Sequence, residues 1–99
     1  MAVKPVEFLD EASAEFESAF DWYLTRSESC AAKFAEEVSH AIGMIADAPR
    51  SWPVGPYDTR KFLLHRFPFA VVYRELPSVI QVLAVAHGQR RPGYWKNRV

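Results

Sequence analysis

The sequence predicts a two-layer α+β fold in the order strand, helix, helix, strand, strand, strand, and three observations predict it. Between Ala12 and Ile45 two consecutive stretches place apolar residues at helical spacing. From Arg60 onward the period changes to two. The stretch Val79 to Ala86 is then an almost unbroken apolar run rich in β-branched residues, the pattern of a strand buried on both faces. Two helices followed by strands on short turns give a helical hairpin lying on one face of a three-stranded antiparallel meander. The 99 residues make one domain, spanning 1–99.

Each element has its own signal. Val3 to Leu9 alternates weakly, and Pro5 makes it an edge strand or a strand start. Asp10 is an expected helix N-cap, with Glu11 in the first turn where the helix dipole favours negative charge. The first helix is expected from Glu11 to Thr25, with Ala12, Phe16, Ala19, Phe20 and Tyr23 as its apolar stripe and Glu15, Glu17, Ser18 and Asp21 facing away. Trp22 falls off the stripe and is expected to cap the sheet edge, an exposed binding residue being the alternative. Ser27 caps a second helix from Glu28 to Asp47, whose stripe is Ala31, Phe34, Val38, Ala41, Ile42 and Ile45 and which Pro49 stops. Cys30 reads as small buried filler and His40 as a solvated surface residue.

Pro49 to Thr59, with three prolines and a glycine, reads as a loop without regular structure, pinned by Trp52 and Tyr57. Beyond it Arg60, Phe62, Leu64 and Arg66 share one face, opposite Lys61, Leu63 and His65. After Phe67-Pro68, the residues Phe69, Val71 and Tyr73 alternate with Ala70, Val72 and Arg74. Glu75 to Ser78 makes the last turn, and the apolar strand that follows belongs at the sheet's centre.

Composition narrows the function classes. Half the residues are hydrophobic and 14% aromatic, which excludes a disordered chain. No apolar run approaches membrane-spanning length, so no membrane role is expected. The N-terminus shows no signal-peptide core, and a single cysteine fits a reducing cytoplasm. The zero formal net charge hides a split. Residues 1–49 hold three Lys or Arg against ten acids, and residues 50–99 hold nine against two, so the halves carry −7 and +7. Either an acidic helical layer complements a basic sheet internally, or the basic face meets a polyanion or an acidic protein.

The catalytic patterns are mostly absent. There is no Gly-rich phosphate loop, no C-x-x-C or H-x-x-x-H pair, and no G-x-S-x-G elbow. Nothing calls for a metal or a cofactor. What remains is a basic and aromatic set on the strands and in the segment after them. Such a set binds phosphates, with Tyr94 or Trp95 stacking on a base. It can also cleave RNA without a metal, with His87 and Tyr94 exchanging protons and Arg66 and Arg90 stabilising charge. The bland reading is that strand arginines shield sheet edges and His87-Gly88 is only a turn.

Four segments carry a family likeness: A-x-x-F-A-E-E-V-S-H-A-I-G-M-I at Ala31–Ile45, P-R-S-W-P from Pro49, R-F-P-F-A-V-V-Y-R at Arg66–Arg74, and V-L-A-V-A-H-G-Q-R-R-P-G-Y-W at Val82–Trp95. In this order they resemble the RelE/ParE superfamily of bacterial type II toxin–antitoxin systems, which includes plasmid-stabilisation toxins. The resemblance covers nearly the whole chain and implies the fold derived above. It implies a cytoplasmic toxin held inactive by a cognate antitoxin in a hetero-oligomer. The superfamily's two activities separate on this sequence. ParE-like members inhibit DNA gyrase by binding; RelE-like members are endoribonucleases that cut mRNA on the ribosome. The H-G-x-R-R ending and the neutral net charge favour the gyrase reading. Arg60, Arg74, Arg91, Trp95 and Lys96 would then be binding residues. In the nuclease alternative, Arg66, His87, Arg90 and Tyr94 would be catalytic, aligned around the Pro92-Gly93 insertion. A module that has lost toxicity and only binds its antitoxin is the third reading.

Overall fold

The computed structural model describes residues 3–99; Met1 and Ala2, and with them the first part of the N-terminus expected to lack a leader, lie outside the described residues. Strand β1 (Val6–Phe8) leads into α1 (Asp10–Leu24) and α2 (Glu28–Asp47), followed by β2 (Arg60–Leu63), β3 (Phe69–Glu75) and β4 (Ile80–His87). The sheet order is β1-β4-β3-β2, so the apolar strand is interior as its composition demanded. β2, β3 and β4 form the antiparallel meander, and β1 runs parallel to β4, with Val6 opposite Ile80. The connection between these two parallel neighbours therefore holds the helical hairpin and then β2 and β3.

α1 starts at Asp10 and not after it. The N–H of Leu9 still bonds Val82 O at 3.0 Å, the last link to β4, so Leu9 is extended and occupies the cap position. Asp10 thus moves into the first turn beside Glu11, and no side chain caps the helix. Ser27 does cap α2, its Oγ accepting the N–H of Cys30 at 2.9 Å. Cys30 itself is only half-buried, and His40 is exposed as expected.

The two helical stripes meet the sheet around Phe34, which has no exposed surface. Its ring lies 5.6 Å from Phe16, 5.1 Å from Tyr23 and 5.3 Å from both Phe67 and Phe69. Val38, Ala41 and Ile45 continue this core toward Tyr73, Ile80 and Val82. Trp22 does not join it. The indole is 53% exposed and carries the Arg26 guanidinium 4.4 Å above its ring, which corrects the expected core role.

The alternation beyond Arg60 holds only to Leu64, which is buried. There the chain turns, with Leu64 N–H bonding Phe69 O at 2.9 Å, so Arg66 stands in the turn and not on a strand face. The Pro49–Thr59 loop is more ordered than its prolines suggest. It holds a 3-10 turn at Pro56–Asp58 and a bridge between Val54 and Arg60. Tyr57 and Asp58 both take positive φ, 61° and 58°, an uncommon conformation without glycine. Thr59, fully enclosed, donates from Oγ1 to Pro56 O at 2.7 Å and fixes the turn. Trp52 pins the loop on Phe62, ring centres 4.8 Å apart.

An irregularity in β4 shapes the second sheet face. Val72 pairs with Ala84 but Tyr73 pairs with Val82, leaving Leu83 as an extra residue. After this bulge Val85 still joins the helix-side core, while both Leu83 and Ala84 join a second cluster with Val72 and Trp95. The segment after β4 therefore does not leave the body. It folds back, through a 3-10 turn at Lys96–Arg98, and lays Trp95 on the face opposite the helices.

Candidate binding groove

The groove lies where the end of the β3–β4 hairpin meets the returning C-terminal segment. It has a volume of about 400 Å³. Leu63, Leu64, Phe67, Ala70 and Ala86 give it apolar walls, and Lys61, His87, Arg90 and Arg91 bring polar groups to it. Tyr94 and Trp95 close one side.

Local chain chemistry sets each of these groups. Gly88 N–H bonds Pro68 O at 2.7 Å, which ties the end of β4 to the β2–β3 turn. The His87 ring meets Phe69 edge-on at 5.0 Å, and its Nδ1 accepts the N–H of Gln89 at 3.0 Å. That bond leaves the ring proton on Nε2 in the neutral imidazole. Arg90 places its guanidinium 3.9 Å from the centre of the Tyr94 ring, a cation–π contact. Gly93, at φ 73°, makes the left-handed bend that returns Tyr94 and Trp95 to the sheet.

The Tyr94 hydroxyl is engaged within the fold. It donates to Glu15 Oε2 on α1 at 2.6 Å. Burial first, then the bond to this carboxylate, pushes its pKa far above the ordinary phenol value. Glu15 is also held by Arg98 and by a β4 amide. The Glu15 bond raises the Arg98 pKa as well.

The residues singled out from sequence separate into four groups. His87, Arg90, Arg91, Tyr94 and Trp95 line one groove. Arg66 does not belong with them. Its N–H bonds the Glu37 carboxylate on α2 at 3.1 Å, its side chain sits beside Glu37 at 3.8 Å, and it faces the helical layer. Arg60 and Arg74 are used by the body itself: Arg60 donates to Trp52 O at 2.5 Å, and Arg74 to Gln81 Oε1 at 2.9 Å. Lys96 is exposed beyond the groove. Trp95, expected to bind or stack, is only 2% exposed and is a core side chain.

Glu15 is the residue that sequence reasoning missed. The helical pattern sets it among the solvent-facing acids of α1, yet its side chain is 16% exposed. Nothing in a lone helical carboxylate signals this; the signal lies in the partners, which are about 70 to 83 positions away.

Part of the charge split is spent inside the fold. Arg66–Glu37 and Arg98–Glu15 join the basic half to the acidic helices. Among the described residues no carboxylate pairs with Lys61, Arg90 or Arg91, which leaves three cations at the groove without an acidic partner. No group of three or more potential metal ligands occurs among the described residues. Every enclosed side-chain N or O there has a hydrogen-bond partner. No helix there is long and apolar enough to cross a membrane.

Fold and groove together define a small α+β protein with a cationic, apolar-walled surface at one end of its sheet. The family follows from comparison. A family model described as the ParE toxin of the type II toxin–antitoxin system, parDE, matches residues 6–92, and the chain belongs to that family. Among solved structures, a chain of the chromosomal ParDE toxin–antitoxin system from P. aeruginosa is similar in fold. Its TM-score is 0.75 at 18% identity, over 86% of this chain and 96% of that one. No curated protein matches.

Proposed function

We propose that this ParE-family protein stops growth by binding a cellular protein, DNA gyrase being the first target to test, and that a cognate antitoxin neutralises it by occupying the groove. One observation carries the choice of binding over cleavage. Tyr94, the candidate proton donor, already gives its hydroxyl proton to Glu15 at 2.6 Å, a partner within the fold, and this engagement supports a structural role for it over proton transfer to a substrate. The unpaired Lys61, Arg90 and Arg91 around apolar walls suit a segment that is both acidic and apolar, charge steering its approach and side chains anchoring it. The solved relative, by its description, is part of a ParDE toxin–antitoxin system.

The second reading, a ribosome-dependent endoribonuclease, draws on His87, Arg90 and Tyr94 lining the same groove. The two are separated by expressing the chain alone in bacteria. Inhibited supercoiling by purified gyrase, an SOS response and intact mRNA are the expected results. Cuts within translated codons, abolished by Tyr94→Phe, would overturn the binding reading in favour of the nuclease. No growth defect at all would leave only an antitoxin-binding module. Arg66→Ala is expected to leave toxicity unchanged, because Arg66 stands apart from the groove.

A further inference from the structure

Glu15 joins three parts of the chain through one carboxylate. Its Oε1 accepts the N–H of Val85 on β4 at 3.0 Å and Arg98 Nη1 at 3.0 Å. Its Oε2 accepts the Tyr94 hydroxyl at 2.6 Å and Arg98 Nη2 at 3.1 Å. An ionised carboxylate offers about four acceptor sites, so these four bonds use its capacity. Arg98 Nη1 also reaches Leu83 O at 2.9 Å. The pairing of β1 with β4 ends at Val82. Glu15 and Arg98 therefore satisfy backbone groups on β4 beyond the reach of β1.

An exposed ion pair of this kind would contribute little. This one differs: both side chains are 16% exposed, and the guanidinium grips both carboxylate oxygens. Its effect reaches the groove by a short route. Glu15 fixes the Tyr94 hydroxyl, the hydroxyl fixes the ring, and the ring carries Arg90 at 3.9 Å. Arg98 flanks the same ring at 5.2 Å.

We propose that Glu15 is the positioning residue of the groove, setting through Tyr94 where the Arg90 cation stands and holding the C-terminal segment closed against β4. This rests on reading the groove as the contact surface. Glu15 need not touch a partner; it determines which charge a partner meets.

The test uses NMR on the full chain. Arg90 side-chain protons near the Tyr94 ring should be shifted upfield by its ring current. Glu15→Ala should remove most of that shift, and so should Tyr94→Phe, which keeps the ring but loses its anchor. Ile45→Val, which loosens the core without touching the latch, should leave it in place. Amide exchange of Tyr94, Lys96 and Arg98 should rise about tenfold or more in Glu15→Ala and in Arg98→Ala, as expected for losing buried charged hydrogen bonds. Exchange in β3 should not rise with it. The double variant should exchange no faster than the faster single one, because both break one unit. An Arg90 shift that survives in folded Glu15→Ala or Tyr94→Phe overturns the proposal, as does a multiplicative double variant. Growth arrest by the wild-type chain is scored separately. Its absence would sink the toxin reading, while the shifts and exchange rates still judge the latch.

Discussion

Replacing Trp95 with alanine separates a core role from a binding role, because the two differ several-fold in cost. A surface aromatic lost from a binding face changes stability by roughly 0.5 kcal/mol or less. Trp95 is 2% exposed and packs with Val72, Leu83 and Ala84. A buried tryptophan removes about 150–250 Å² from water. At roughly 25 cal/mol per Å² that is about 4–6 kcal/mol, an upper bound because the unfolded chain already hides part of this surface. Measured truncations of buried aromatics cost about 3–5 kcal/mol, and that is the expected loss. For a domain of this size it lowers the melting temperature by something like 12–40 °C, and it takes a large share of a total stability near 5–15 kcal/mol. Urea unfolding followed by far-ultraviolet circular dichroism measures it. A loss below about 1 kcal/mol would refute the reasoning. It would mean that the second sheet face does not depend on the C-terminal segment.

Phe34→Ala removes the ring on which Phe16, Tyr23, Phe67 and Phe69 converge, and should cost about 3–5 kcal/mol in the same assay. Ser27→Ala loses the cap on α2 and should cost about 1 kcal/mol, with Ser27→Asn recovering most of it. Glu75 carries a lowered pKa, first from its bond to Lys4 and then from Arg50. The unfolded chain thus binds its proton more tightly. The stabilisation is present above the ordinary carboxylate value and falls away as pH drops through the lowered one. Denaturation midpoints across this acid range should show less pH dependence in Glu75→Gln than in the wild type. Tyr94, with its raised pKa, works in the other direction: its contribution is complete below the ordinary phenol value and declines as pH rises beyond it. Tyr94→Phe should flatten the alkaline limb of the melting profile.

Periodicity made the helices, the meander and the buried β4 legible, because burial on a repeating face leaves a repeating pattern. Phe34, Val38, Ala41 and Ile45 all stand where that pattern put them. It gave no purchase on single residues whose role depends on distant partners. Trp95 sits in a segment with no period, so a basic aromatic tail and a folded-back core strap look alike in sequence. Glu15 shares a helix face with solvated acids and differs from them only in facing Tyr94 and Arg98. Arg66 departs from its expected strand face for a related reason. The alternating pattern continues in sequence past Leu64, but there the backbone turns to bond Phe69. The start of α1 moved by one residue because Leu9 was still engaged with β4.

The path by which the sheet closes has a consequence for synthesis. β1 is made first, but its partner β4 comes only after both helices and two further strands. The α1–α2 hairpin is local and can form early, whereas the sheet must wait for pairings distant along the chain. On the ribosome the groove cannot exist until β4, Tyr94 and Trp95 have all emerged. The segment made after β4 is the one that completes the groove. Until that segment is made, Leu83 and Ala84 lack the indole that covers them, so the second sheet face is finished later than the helix-side core.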